Sequence, residues 1–196
     1  GAAMASCVAI GQYAMNSTAA NAQTGTVAIG KDALTALTTG AGNTAVGYQA
    51  GDNLDGGHRN TLLGYQALSA EDGHGYNVAV GYQALLAQNA GADAGNTAVG
   101  YKAGALVSTG TKNVLIGHQA GDVIEEGDEN VYIGYDVGGN STNAQNRIAI
   151  GYNVSTTADD SVTLGNGDVT AVYMASDSGA SVNCGQVISA NSGIDT

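Results

Sequence analysis

Along most of the chain, apolar and polar positions follow one short pattern: a polar residue, three residues of strand-forming character, a glycine, and a small-residue segment. The clearest form is NTAVGYQAG, Asn43 to Gly51. It returns as NTLLGYQAL from Asn60, NVAVGYQAL from Asn77, NTAVGYKAG from Asn96, NVLIGHQAG from Asn113 and NVYIGYDVG from Asn130. Weaker copies stand upstream (CVAIGQYAM, TVAIGKDAL) and downstream (RIAIGYNVS, SVTLGNGDV), ten in all. The central glycines are Gly11, Gly30, Gly47, Gly64, Gly81, Gly100, Gly117, Gly134, Gly151 and Gly165, at steps of 19, 17, 17, 17, 19, 17, 17, 17 and 14 residues. A unit this short cannot bury a core alone and has to stack on its neighbours. The pattern predicts an all-β parallel solenoid of about ten rungs over residues 1–169, spanning roughly 45 Å at about 4.8 Å per rung.

Within each copy the residues before glycine alternate as a strand does. The position immediately before it is always a large aliphatic, and the position three before it is Val or Ile in seven copies and Thr in three. These two positions share a face, which is expected to be the core. The position between them is Ala in six copies. A column of alanine on the opposite face, where polar residues would be usual, predicts close packing against another copy of the chain. The expected contact residues are Ala45, Leu62, Ala79, Ala98, Leu115, Tyr132 and Ala149. The third residue after glycine, Ala in seven copies and Val137 or Val154 in two, predicts a further inward point.

Three recurrent residues carry structural meaning. Glycine among β-formers predicts a corner with positive φ or a close backbone approach. Asn43, Asn60, Asn77, Asn96, Asn113 and Asn130 stand four before it, where stacked amides can form a ladder. Tyr48, Tyr65, Tyr82, Tyr101, Tyr135 and Tyr152 follow the glycine directly and should form an aromatic ridge at rung spacing, with His118 interrupting it. Stacking and burial between chains account for such a ridge; contact with a carbohydrate or a cell surface is the functional alternative.

Composition fits a thin interior. The 196 residues include 31 Gly and no Pro, Trp or Phe. A net charge of −12, from 5 basic and 17 acidic residues, argues against nucleic acid or an anionic membrane as partner, and no apolar run is long enough for a membrane span. The opening GAAMASCVAIG reads as the middle of a rung, as in a piece of a longer chain. Connections such as Ala19 to Gly25, Gly51 to Arg59, Ala70 to Tyr76 and Ala87 to Gly95 are polar and place loops along one edge. Residues 170–196 lose the glycine spacing and read as a cap or the start of another module.

Chemistry is sparse. Glu125, Glu126, Asp128 and Glu129 crowd one connection, and neighbouring carboxylates could bind Ca²⁺ or act as acid and base, but a solvated acidic loop is the plainer reading. His58, His74 and His118 lie in separate rungs without metal-ligand spacing. Cys7 and Cys184 would sit too far apart along a rod to pair within one chain. No nucleophile elbow, phosphate loop or zinc-protease helix is present, so no catalytic residue, metal or cofactor is expected and the chain reads as a structural protein rather than an enzyme.

With these residues in hand, the VAIG and AVG cores preceded by Asn or Ser resemble the head repeat of trimeric autotransporter adhesins over roughly residues 7 to 169. That resemblance implies a left-handed β-roll of three intertwined chains, with the small residue before the last aliphatic turned toward the neighbouring chains. Nothing in the chain resembles the neck or heptad stalk that follow an adhesin head. The Tyr-Gln form of the repeat and the ending TLGNGDVTAVYMASDSG look like bacteriophage tail-fibre proteins, in some of which a C-terminal chaperone cuts itself off, as a stop at Thr196 would suit. The expectation is a homotrimeric fibre segment of a virion tail appendage that contributes to attachment to a host-surface glycan or protein. The alternatives are an extracellular adhesin head and a polysaccharide-degrading tailspike.

Overall fold

In the computed structural model, which describes residues 6–17, 24–170 and 172, ten short strands pair in chain order into a single parallel sheet. They are β1 (Val8–Ile10), β2 (Val27–Ile29), β3 (Thr44–Val46), β4 (Thr61–Leu63), β5 (Val78–Val80), β6 (Thr97–Val99), β7 (Val114–Ile116), β8 (Val131–Ile133), β10 (Arg147–Ile150) and β12 (Ser161–Leu164). The register sets each copy of the repeat on the next, for example Thr44 on Thr61, Ala45 on Leu62 and Val46 on Leu63. A second, two-stranded parallel sheet joins β9 (Gly138–Gly139) to β11 (Ser155–Thr156) near the last rungs. The chain is therefore a parallel β-solenoid, as the spacing predicts. Most of residues 170–196, with Cys184 and Thr196, and the connection 19–23 lie outside the described residues.

After each strand the chain turns, and the turns stack as closely as the strands. Leu34 N–H donates to the Ala50 carbonyl, Gly51 to Ala67, Leu68 to Ala84, Leu85 to Ala103, Gly104 to Ala120 and Gly121 to Val137, at 2.8 to 3.0 Å. These corners require left-handed backbone. The second residue after the central glycine has positive φ in nine rungs even without being glycine: Tyr13, Asp32, Gln49, Gln66, Gln83, Lys102, Gln119, Asp136 and Asn153. The central glycine faces a stricter demand. From Gly11 to Gly151 its φ lies between 130° and 145°, a region closed to side chains, and a Cβ at Gly81 would overlap the carbonyl oxygen of Gly100 one rung away.

The strand faces are reversed relative to the sequence expectation. Between the two end strands of the main sheet, the residue two before the central glycine points inward: Ala28, Ala45, Leu62, Ala79, Ala98, Leu115, Tyr132 and Ala149 have no accessible surface, while Ala9 is exposed and Thr163 half-buried at the ends. Ala33, Ala50, Ala67, Ala84, Ala103, Ala120 and Val137 are equally buried on the opposite wall, the inward point expected three after glycine. The large aliphatics flanking the middle residue face out, with Leu63 49% and Ile150 40% exposed. The reason is width. Two walls joined by tight corners leave a narrow interior that alanine fills between the strands and the facing wall, and leucine enters that layer where glycine stands nearby. Leu62 Cδ1 and Leu34 Cδ2 occupy the space a Cβ at Gly51 would need, and the Leu115 side chain does the same for Gly104 and Gly121, so volume is exchanged between neighbouring rungs.

Replacing Gly81 by alanine imposes both the steric overlap and the forbidden φ. We expect it to lower unfolding free energy by about 3 kcal/mol or more. Chemical denaturation of the variant checks this, and an unchanged midpoint would contradict the stacking geometry.

Candidate functional site

The solenoid turns each recurrent side chain into a ladder, and three ladders run along it. The innermost is amide. Asn43, Asn60, Asn77, Asn96, Asn113 and Asn130 are fully buried, and each Oδ1 accepts the backbone N–H of the residue one rung on, at 2.8 to 3.0 Å. Their Nδ2 groups turn to the loop wall, donating to the carbonyls of Gly57, His74, Gly110, Gly127 and Ala144, each 14 residues on from its Asn. The exception is Asn77, whose rung holds two extra residues. Its Nδ2 is buried without a partner, while Gln88 bridges the displaced loop by accepting from Asn96 Nδ2 at 2.6 Å and donating to Ser108 O.

Arg147 ends this ladder. It takes the Asn position, donates its N–H to Asn130 Oδ1 at 3.0 Å, and lies almost entirely buried. Its guanidinium binds Asp159 Oδ1 through Nε and Nη2, both at 2.7 Å, and the Thr156 carbonyl through Nη1. Asp159 also accepts the Gln145 N–H, and these donors hold its carboxyl below the ordinary value. Beside them burial pushes the Tyr132 hydroxyl up, though it lies 3.2 Å from Thr156 Oγ1.

The second ladder is aromatic and lies at the surface. Tyr48, Tyr65, Tyr82, Tyr101, His118, Tyr135 and Tyr152 stack with centroids 4.8 to 5.4 Å apart and ring planes within 18°. His118 therefore continues the ridge rather than interrupting it, at 4.8 Å from both flanking tyrosines. Because each ring within the stack covers its neighbours' faces, the ridge offers ring edges and hydroxyls outward, and only the end rings, Tyr48 and Tyr152, have a face that no other ring covers. Beside it Gln66 donates to Gln49 and Gln83 to Gln66 at 3.0 and 2.9 Å.

The third ladder is the outer apolar row of the main sheet. It runs from Val8 and Ile10 through Leu63 and Ile116 to Ile150, Val162 and Leu164, all exposed, with half-buried Val, Ile and Thr between them. The contact residues expected from sequence, Ala45, Leu62, Ala79, Ala98, Leu115, Tyr132 and Ala149, lie inside the chain instead. A side chain without accessible surface has nothing to present to another chain, whereas the outer row is accessible.

The acidic connection does not converge. Asp128 Oδ1 accepts from the N–H and hydroxyl of Thr111, Glu129 pairs with Lys112 at 2.8 Å, and Glu125 and Glu126 are exposed. The gathering of ligand-type atoms among the described residues is elsewhere, at Glu71, Asp72 and His74, within 4.8 Å of one another. His58 lies 3.7 Å from Asp93 and edge-on to Tyr76. Cys7 is half-buried. A shallow cleft of about 230 Å³ lies between Gln83, Lys102, Leu106 and Asp122. In it burial and the nearby Asp136 raise the Asp122 carboxyl, against a hydrogen bond from Gln119. No helix of the described residues is long and apolar enough to cross a membrane.

Compared with known proteins, the chain matches no family model, no curated protein and no solved structure.

Two outcomes follow from these contacts. Asn113→Ala removes the acceptor of Asn130 N–H and Nδ2 and leaves the buried Gly127 carbonyl without its amide, so stability should fall by about 3 kcal/mol in denaturant titration. Asp122 has the opposite sign. Its raised folded pKa means that ionisation opposes folding, so stability is lost as pH rises from 3.8 through the folded value. Asp122→Asn should raise the thermal midpoint at pH 7 and leave it unchanged at pH 3.

Proposed function

We propose that the chain is a structural segment of a trimeric fibre in a phage tail or similar appendage, coiled in the left-handed sense of adhesin β-rolls, and that it contributes to attachment at a host surface. The observation that carries this reading is the outer aliphatic row of the ten-stranded sheet, which the described residues leave uncovered. Isolated exposed aliphatics are ordinary, but a continuous row along the whole sheet marks an interaction surface. Copies of the same chain suit it because they share its rung spacing. When two such rows meet in parallel, every aliphatic finds a counterpart at the same height, whereas an unrelated surface would match only a few.

This places self-association on the face opposite to the one expected from the alanine column. The aromatic ridge and the loops stand apart from the strand row in each rung and remain available for a glycan or protein. With ring faces covered within the stack, that contact would use tyrosine edges, hydroxyls and the adjoining glutamine amides, and three equivalent weak sites would act by avidity. The head of a bacterial trimeric adhesin fits the same row. A polysaccharide-degrading tailspike gains nothing from the acidic connection, where Asp128 and Glu129 are engaged by Thr111 and Lys112.

Light scattering of the purified chain should give about three times its 19.3 kDa mass. The double variant Val80→Asp, Ile116→Asp places charge in the outer row without touching the interior, and it should fold yet scatter as a monomer. A monomeric parent chain would sink the proposal.

A further inference from the structure

The inner column seven residues after each central glycine is aliphatic at Leu37, Leu54, Val107 and Ile124, all without accessible surface. At the corresponding place in the fourth rung stands Glu71, also with none. The next rung places the equally buried amide of Gln88 there, hydrogen-bonded to Asn96 and Ser108, but a carboxylate at such depth is costly unless its charge and lone pairs are met. One oxygen is met within the same loop: Glu71 Oε1 accepts the His74 N–H at 3.1 Å and lies 3.1 Å from His74 Nδ1. The other, Oε2, is buried without a hydrogen-bond partner.

Further groups converge there. Asp72 is exposed, and its Oδ1 lies 4.0 Å from His74 Nδ1. The main chain that carries them is held from the preceding rung: the Asp72 carbonyl accepts the N–H groups of Asp55 and Gly56, and the His74 carbonyl accepts Asn60 Nδ2. The ligand-bearing loop is thus fixed by the ladder before anything binds, which lowers the ordering cost of binding.

From this arrangement we infer that Glu71, Asp72 and His74 form a binding site for one divalent transition-metal ion per chain. One imidazole nitrogen and two carboxylates suit zinc or manganese better than calcium or magnesium, which favour oxygen alone. Two negative charges balance the ion, the buried carboxylate gains a partner, and the solvent side at Asp72 leaves a position for water. A tetrahedral ion about 2.1 Å from each ligand sets the ligand atoms about 3.4 Å apart. They now lie within 4.8 Å of one another, so the exposed Asp72 carboxylate has to close by up to about 1.4 Å. Binding would tie residues 71 and 74 of one loop together at a place where the aliphatic column is broken.

The test uses the whole chain, stripped with a chelator and titrated with zinc chloride by calorimetry, with thermal unfolding followed in parallel. We expect one zinc ion per chain with micromolar or tighter affinity and a thermal midpoint raised by several degrees. Glu71→Leu restores the residue found at Leu37 and Leu54 and so should stay folded, while binding weakens at least tenfold and the thermal shift disappears. His74→Ala, at a half-exposed position, should weaken binding similarly. His118→Tyr, which restores the tyrosine of the other rungs, should bind as the parent does. Absence of saturable binding in the parent would overturn the inference, as would undiminished binding in both Glu71→Leu and His74→Ala.

Discussion

Parallel stacking in register governs this molecule. Each rung must meet the backbone hydrogen-bonding groups of the next at strand spacing, in the turns as well as in the strands, and that condition leaves few conformations open to the chain. It explains why glycine recurs where the backbone needs φ near 140° and why non-glycine residues accept left-handed corners one after another. It also explains why side chains that repeat in sequence become continuous columns. Buried asparagine is expensive alone; stacked, each amide satisfies the next.

The same constraint sets the width of the interior and so decides which side chains enter it. Alanine on both walls brings the walls together, and Leu62 or Leu115 fits only because glycine stands across from it. The large aliphatics that flank the middle residue of each strand are thereby displaced to the outside. The result differs from a globular β-sandwich, in which the largest apolar residues mark the core and the smaller ones its margins.

That difference accounts for what the sequence conveys and what it conceals. The period, the strand positions, the glycine corners, the asparagine ladder and the inward alanine three after glycine are all legible, because each is a local demand repeated many times. The polarity of the strand faces is not. Alternation shows that Ala45 and Val46 lie on opposite faces without saying which is inside, and the rule that large aliphatics are buried points the wrong way in so narrow a coil. His118 looks like a break in the tyrosine column until its ring is seen stacked between two others. Glu71 passes unnoticed because a glutamate in a loop ordinarily faces water, and only the rung-by-rung alignment, with Leu54 one step back and Gln88 one step on, could have marked it as a position inside the coil. The acidic run near Glu125 draws the eye by density, yet stacking places its partners one rung apart.

The uniform step between rungs also bears on how the chain reaches its structure. Nearly all pairings join residues about 17 positions apart, and that separation does not grow as rungs are added. Relative contact order is then only about 0.09, in the range of helical bundles rather than of β-sandwiches. Once two neighbouring rungs have formed, each new one closes a loop of the same small size onto a finished template, and the growing coil can lengthen from whichever pair forms first. A coil built of strands and turns thereby escapes the slow long-range search that usually accompanies them.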